Sequence, residues 1–490
     1  MVIEKSKTMS GKNLKLIGRK QEQEQLASLR SSSKAELVVC TGRRRIGKSF
    51  LIRKVGQQWP LFLEIQGLAP APRVTNKMQI AYFMKQLCDQ LQLPPVTYKD
   101  WDSALRFLAK QIEGKACFVF LDEISWMGGK DHKFPGILKV LWDTVFSQNE
   151  QLTLVLCSSV SSWIEDNILS STNFLGRISM QLKLEELSPN ESSLFFPKRT
   201  SSSEVLKLLL LIGGVPKYLE EIKNFSSPTT GLSRSFLSKN GFLFNEYEKI
   251  FLDIFGSRHR TYAKIIETVL NAAKNFTEIC ESQKLPKNGK TSKLIHHLVL
   301  SGFLRKDQTW DLNMKGNKKS YIYRVSDNYL RFYFKVIKPL QKKINSDVLG
   351  IKSIDSLPNL NSMLGYQFEN IIYKNIKPIL KLAHIEEEEL INWGSYIQEK
   401  TLRSEACQID LLIQTKSTLY VFEIKYVPEV QKSVAEELIN KVKKLKYPQN
   451  KYSIKTGIIY SHEIHPLLIQ KRLIDYNISF KMIQTESFEY

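Results

Sequence analysis

The sequence predicts an α/β protein of three domains. Three stretches carry that expectation: a strand, glycine loop and helix at 36–55, three short helices followed by a hairpin at 262–325, and an acid-bearing hairpin at 408–425. At 490 residues the chain is too long for one hydrophobic core, and about 150 residues per domain gives about three. A hydrophobic content of 42% suffices to fill them. The boundaries fall where composition turns linker-like, at Ser226-Ser227-Pro228-Thr229-Thr230-Gly231, and polar and mixed, from Val336 to Leu357. The expected domains are therefore 1–230, 231–350 and 351–490.

In the first domain, Glu36-Leu37-Val38-Val39-Cys40 is a short apolar run of buried-strand type, and Lys48 to Val55 has helical spacing. Between them Gly42-Arg43-Arg44-Arg45-Ile46-Gly47-Lys48-Ser49 fits the phosphate-loop pattern G-x-x-x-x-G-K-[ST] at every fixed position. Gly42 and Gly47 permit backbone angles that turn successive N–H groups toward one anion, and the helix that follows points its positive end there too. Lys48 would reach the β- and γ-phosphates of ATP, and Ser49 would ligate Mg²⁺. A glycine turn that binds nothing is the bland alternative.

A strand at Leu61–Ile65 and helices around 76–93 and 101–112 lead to Cys117-Phe118-Val119-Phe120-Leu121, which ends in Asp122-Glu123. An apolar strand ending in two acids suits the second half of a nucleotide site: Asp122 holds Mg²⁺ through water, and Glu123 polarises the attacking water. Thr153 to Cys157 ends in Ser158-Ser159, whose hydroxyls either sense the γ-phosphate or cap the next helix. Strands alternating with helices indicate a parallel sheet with its ligand at the carboxyl ends. Arg177 follows Gly176 and either donates to a γ-phosphate, in this subunit or the next of a homo-oligomer, or forms a surface salt bridge. Gly213-Gly214-Val215-Pro216-Lys217-Tyr218-Leu219 breaks one apolar helix and starts another, as expected at the edge of a helical lid.

Beyond 231 the pattern changes. Tyr262 to Ala272, Thr277 to Ser282 and Ser292 to Leu300 read as three amphipathic helices, and Gly302-Phe303-Leu304-Arg305 pairs with Tyr321 to Val325 across a polar loop. Three helices and a hairpin make a winged helix-turn-helix whose third helix would enter a major groove. Lys290, Lys293, His296, Lys315, Lys318 and Lys319 give that helix and the wing positive charge; such modules also serve as protein-contact domains. The aromatic run Asp327 to Phe334 reads as core packing.

In the last third, Gln408 to Ile413 and Leu419 to Lys425 are strand-type runs joined by a polar segment, which predicts a β-hairpin. A turn centred on Lys416-Ser417 sets Asp410 opposite Glu423. Two like charges at about 5 Å between Cβ atoms repel and need compensation, which a bridging divalent cation supplies. Lys425 projects from the same face and would stabilise developing phosphorane charge or orient water. Glu369, on the upstream amphipathic helix Gly365 to Ile372, would add a further contact. Hard oxygen ligands imply Mg²⁺ or Mn²⁺, and the chemistry is metal-assisted phosphodiester hydrolysis. The bland alternative is an amphipathic hairpin with charges on its wet face. Glu386 to Glu389 is a solvated turn, and Lys441, Lys443, Lys444 and Lys446 form either a DNA track or a solvated face.

Lys+Arg 71 against Asp+Glu 49 gives a net charge of +22, which favours a polyanionic partner. With no basic amphipathic anchor and no apolar run near 18 residues, nucleic acid is expected, DNA above all, and not a membrane. The cysteines Cys40, Cys88, Cys117, Cys157, Cys280 and Cys407 show no zinc spacing and read as reduced core residues. The opening Met1 to Lys7 lacks a signal-peptide pattern, so a cytoplasmic protein is expected.

Taken together, Gly42 to Ser49, Leu121-Asp122-Glu123-Ile124, Gly213 to Leu219 and the Ile409-Asp410 to Glu423-Ile424-Lys425 pair resemble, in order and over nearly the whole chain, the prokaryotic AAA/STAND P-loop ATPases of the archaeal type with a winged helix and a C-terminal PD-(D/E)xK restriction-endonuclease-like domain. The resemblance implies ATP hydrolysis in the first domain and nuclease residues at Glu369, Asp410, Glu423 and Lys425. Two departures stand out: Cys157-Ser158-Ser159 replaces the usual glycine-serine step, and no Pro-Asp dipeptide marks Asp410. The expected function is ATP-dependent DNA processing in which nucleotide state gates a metal-dependent nuclease. The competing expectations are a nucleotide-switched DNA- or protein-binding regulator with an inactive nuclease fold, and nucleotide binding without turnover.

Overall fold

The structure is a computed structural model that describes residues 15–71, 73–129, 131–159, 161–170, 172–310, 312, 320–358, 360–402 and 405–486. The predicted N-terminal reading at Met1 to Lys7 and the wing lysines Lys315, Lys318 and Lys319 lie outside the described residues. The chain divides into two compact units. The first comprises the described residues of Met1–Thr41, Gly47–Ser158 and Trp163–Lys183. The second comprises those of Gly42–Ile46, Ser159–Ser162 and Leu184–Tyr490.

After helix α1 (Lys20–Ser28), the first unit is built on strands β1 (Glu36–Thr41), β2 (Leu61–Gln66), β3 (Cys117–Asp122), β4 (Leu152–Cys157) and β5 (Met180–Lys183). All pairings are parallel, in the order β2-β3-β4-β1-β5. Helices α2 (Lys48–Gly56), α3 (Asn76–Leu91), α4 (Trp101–Ile112) and α5 (Phe134–Thr144) cover it. Strands β3 and β4 are buried at every position, which explains their unbroken apolar runs: a parallel strand covered on both faces has no polar side to alternate with. Thr75 and Asp100 cap α3 and α4 by accepting from Met78 N and Ser103 N. Strand β4 lies between β1 and β3, so its end at Cys157-Ser158 sits between the loop strand and the acid strand.

In the second unit, α6 (Ser202–Ile212), α7 (Pro216–Ile222) and α8 (Phe242–Phe255) share one apolar cluster with later elements, from Leu187 to Ile483, beside a second cluster that includes Tyr396, Leu412, Val421 and Leu438. The sequence places a boundary near 230; the packing runs through it, because α6 is buried on nearly every side and finds its partners among later helices. Next come α9 (His259–Thr268), strand β6 (Lys274–Asn275), α10 (Phe276–Gln283), α11 (Gly289–Leu300), β7 (Leu304–Gln308) and β8 (Tyr321–Val325), with a three-stranded sheet in the order β6-β8-β7. These are the three helices and hairpin expected, with a short extra strand. Asn275 and Asn288 cap α10 and α11. The aromatic run forms helix α12 (Asn328–Phe332) and a wide turn after it, fully buried as predicted.

Helix α13 (Leu360–Lys374) precedes a mixed sheet of β9 (Leu390–Gln398), β10 (Cys407–Thr415), β11 (Thr418–Lys425), β12 (Ser453–Tyr460) and β13 (Tyr476–Ser479). Its order is β13-β12-β11-β10-β9: β9, β10 and β11 form an antiparallel meander, and helix α14 (Lys432–Lys444) crosses over to bring β12 in parallel to β11. Phe422 and Ile424 of β11 pack with Phe368 and Ile372 of α13, while Leu419 and Val421 pack with Ala435 and Leu438 of α14. A register shift interrupts the β9–β10 ladder between Ile409 and Leu412, at the position of Asp410.

Candidate functional site

The carboxyl ends of β1, β3 and β4 gather the predicted nucleotide residues of the first unit. Gly47, with φ +91, turns the chain into α2, so Lys48 and Ser49 occupy its first turn. Lys48 is buried, and the Ser49 hydroxyl hydrogen-bonds the Asp122 carboxylate. Burial pushes the Asp122 carboxyl up, while the Ser49 hydroxyl and the Lys48 charge pull it back. Asp122 Oδ1 also accepts from Glu123 N at 3.0 Å. Glu123 itself has φ +51, a left-handed conformation that costs a non-glycine residue on the order of 1 kcal/mol and recurs where a side chain must be aimed. The buried Ser158 hydroxyl reaches Glu123 Oε2 at 3.5 Å and Ser125 Oγ at 2.7 Å, a contact with the acid that the sequence reading did not anticipate. The donors are hard oxygens and one ammonium, a set that fits Mg²⁺ with a phosphate chain.

Arg177 is elsewhere engaged. Its Nε and Nη2 donate to the two oxygens of Asp143, at the end of α5, at 2.5 and 2.9 Å, and Lys139 joins them at 2.9 Å. The Arg177 hydrogen bonds hold the Asp143 carboxyl down at about 2. This is the surface salt bridge weighed above against an arginine finger. A cavity of about 180 Å³ opens at the opposite, amino end of the sheet beside Trp59 and Thr153, and none of the predicted residues lines it.

The remaining loop residues, Gly42 to Ile46, belong to the second unit. Gly42 has φ +144, and a Cβ there would meet the Leu184 carbonyl oxygen at 2.5 Å, so only glycine fits. The side chains of Arg43, Arg44 and Arg45 each meet a carboxylate. Arg43 Nη1 lies 2.5 Å from Asp327 Oδ2 and 3.1 Å from Glu186 Oε1. Arg44 pairs with Asp253 at 2.8 Å, and Arg45 with the fully buried Glu246 at 2.7 Å. Glu186 also accepts from Lys374 of α13 at 2.8 Å and from Gly214 N at 3.2 Å, which gives the glycine pair at 213–214 a role in holding this acid. Burial pushes Asp327 up against the Arg43 charge; burial acts on Glu186 too, but Lys374 and Arg43 hold it below the ordinary range. Sequence reasoning assigned the three arginines to the nucleotide; here their guanidinium groups meet acids. Asp327, capping α12 through Leu330 N at 3.0 Å, carried a visible capping signal but none for its distant partner.

The second predicted site is assembled as the turn arithmetic expects. The hairpin register pairs Leu411 with Phe422 at the end of the β10–β11 ladder, which leaves Asp410 and Glu423 as the next residues of the two strands. Asp410 Oδ2 accepts from Ile424 N at 3.0 Å, and Tyr373 of α13 donates its hydroxyl to the Asp410 carbonyl. Burial first, then the Glu423 charge, pushes the Asp410 carboxyl up to about 7. Glu423 is buried, and its carboxylate accepts from Lys425 at 2.9 Å and from Lys441 of α14 at 2.8 and 2.7 Å. The compensation that the sequence reading asked of a divalent cation is here supplied by two ammonium groups. Glu369 lies 3.8 Å from Arg324 of β8, whose neighbour Arg305 stacks over the Tyr373 ring at 3.8 Å. Among the described residues no three His, Cys, Asp or Glu side chains form a group able to hold a metal ion. What fits a hard cation is the Asp410–Glu423 pair alone. Lys441 was grouped with a basic run; its signal was the spacing from Ala435 and Leu438, which puts it at the edge of the buried stripe.

No family model matches the chain. An uncharacterized protein of Methanocaldococcus jannaschii is 24% identical over 369 residues, covering 72% of this chain and 76% of that protein. Among solved structures, the Walker-type ATPase of Pyrococcus abyssi matches with 14% identity and a TM-score of 0.45, over 66% of this chain and 96% of that one. The ORC2 protein of Aeropyrum pernix matches with 12% identity and a TM-score of 0.40, over 69% of this chain and 96% of that one. Cdc6p of Pyrobaculum aerophilum matches with 12% identity and a TM-score of 0.32, over 68% and 93%. No helix among the described residues is long and apolar enough to cross a membrane.

Proposed function

We propose that the chain binds and hydrolyses ATP, acts on DNA, and uses its nucleotide state to gate metal-dependent phosphodiester hydrolysis at the Asp410–Glu423 pair. The observation that carries the ATPase reading is the convergence of Lys48, Ser49, Asp122 and Glu123 at the carboxyl ends of two parallel strands. Bound MgATP supplies the phosphoryl group and its charge neutralisation. Lys48 would bind the phosphate oxygens, Ser49 and Asp122 would hold the cation that neutralises their charge, and Glu123, held by Ser158, would orient the attacking water. Phosphate release by Glu123→Gln equal to wild type would refute this assignment.

The exposed Lys290, Lys293 and His296 on α11, with the net charge of +22, support DNA contact by a winged helix-turn-helix module. The α13–β9–β10–β11–α14–β12 order, with acids on the central strands, supports a restriction-endonuclease-like domain. There Asp410 and Glu423 would hold Mg²⁺ or Mn²⁺, which supplies Lewis acidity, while Lys425 orients water or steadies charge. Nuclease assays with and without ATP on wild type, Asp410→Ala and Lys425→Ala decide this part; equal activity in all three removes it. A second reading, favoured by the occupation of Glu423 by two lysines, is a nucleotide-switched regulator with an inactive nuclease fold. It expects ATP-dependent DNA association that survives Glu423→Ala.

A further inference from the structure

The contacts at the acidic hairpin point to a role for Lys441 beyond compensating Glu423. The buried Glu423 carboxylate is bonded by two ammonium groups, those of Lys425 and Lys441. Lys425 reaches Glu423 along its own strand, two residues on. Lys441 comes from a different element, and it alone contacts both oxygens of Glu423, at 2.8 and 2.7 Å. Its helix is anchored by Ala435 and Leu438 in the apolar cluster beneath, and the Cys407 thiol of β10 reaches the Lys441 carbonyl at 3.4 Å. The backbone is therefore fixed, while the long side chain, still about a quarter exposed, can swing.

A divalent cation entering this pair competes with both lysines for the Glu423 oxygens. An arriving phosphodiester brings one negative charge, and a lysine released from Glu423 has that group as its natural new partner. We propose that Lys441 is a positioning residue that occupies Glu423 in the resting protein and transfers its ammonium to the substrate phosphodiester when the acid pair ligates a cation. Metal loading is then weak without nucleic acid and strengthened by it. The inference rests on the phosphodiesterase reading above and makes metal affinity its readout.

The test is calorimetric titration of the full chain with Mn²⁺, without nucleic acid, for wild type, Lys441→Gln, Lys441→Met, Lys444→Gln and Asp410→Asn. Lys441→Gln retains a hydrogen-bond donor and Lys441→Met the apolar stem, so the two variants together guard against a folding defect in one. The expected result is Mn²⁺ binding about tenfold tighter in both Lys441 variants, the scale of one charged hydrogen bond removed as a competitor. Lys444, on the same helix but paired with Glu405, serves as the charge control, and its variant should match wild type. Repeating the titration with a short DNA duplex should tighten binding in wild type and give a smaller gain in Lys441→Met. Unchanged or weaker Mn²⁺ binding in both Lys441 variants, with binding lost in Asp410→Asn, overturns the proposal and leaves the phosphodiesterase reading intact. Equal binding by Asp410→Asn and wild type removes that reading and this one with it.

Discussion

The Arg43 guanidinium lies 2.5 Å from the Asp327 carboxylate, and both groups are almost entirely buried. An arginine of the predicted phosphate loop is thus neutralised by the residue that caps the aromatic helix α12, with Glu186 as a second acid that also binds Lys374. Breaking such a pair from one side strands a buried charge, at a cost of about 3 kcal/mol or more. Asp327→Asn should therefore lower the melting temperature markedly, whereas Arg43→Met combined with Asp327→Leu should recover most of the loss. Scanning calorimetry of the three proteins would show it; equal melting of wild type and Asp327→Asn would contradict a stabilising pair.

At the nucleotide residues, Lys48→Ala should abolish binding of a fluorescent ATP analogue. Glu123→Gln should bind it normally but release phosphate at least about a hundredfold more slowly, the usual loss when a general base is removed. Ser158→Ala, which withdraws the hydroxyl from Glu123, should fall between wild type and Glu123→Gln.

Arg177 should behave as a surface pair. Arg177→Ala should leave phosphate release within about twofold of wild type and leave the melting temperature close to wild type. Asp143 has a lowered folded value of about 2, so its contribution is present above the unfolded carboxylate range and is lost as pH falls through about 2. In Arg177→Ala, carboxyl NMR should find the Asp143 titration moved upward. A large fall in phosphate release would instead mean that the guanidinium leaves Asp143 for a nucleotide.

On α11, replacing Lys290 and Lys293 by Glu should weaken DNA binding, and the slope of log affinity against log salt should fall by about two if each lysine meets one phosphate. Fluorescence anisotropy at several salt concentrations measures both. An unchanged slope would favour the protein-contact role for this module.

What the sequence made legible is what local pattern encodes. The strand, loop and helix around Gly47 follow from apolar runs and two glycines, and the register of the hairpin that carries Asp410 and Glu423 follows from a turn position. The three helices and hairpin before Val325 were visible for the same reason. What stayed hidden depends on partners remote in the chain. Nothing near Arg43 announces Asp327, and nothing near Glu423 announces Lys441; a lysine on a mixed helix looks solvated until the strand beneath it is known. The boundary near 230 was set by composition, which reports how a linker is built but not what the following helices pack against.

The apolar cluster that runs unbroken from Leu187 to Ile483 bears on how this protein can be taken apart. A chain cut after 350 would part α6 and α12 from α13, which both of them contact, and would leave their side of the cluster bare. The acid-bearing sheet is not cargo that recombination could hand intact to another scaffold. It and the helices before it must have been tuned together, and any protein inheriting one without the other would begin with an exposed greasy face to repair.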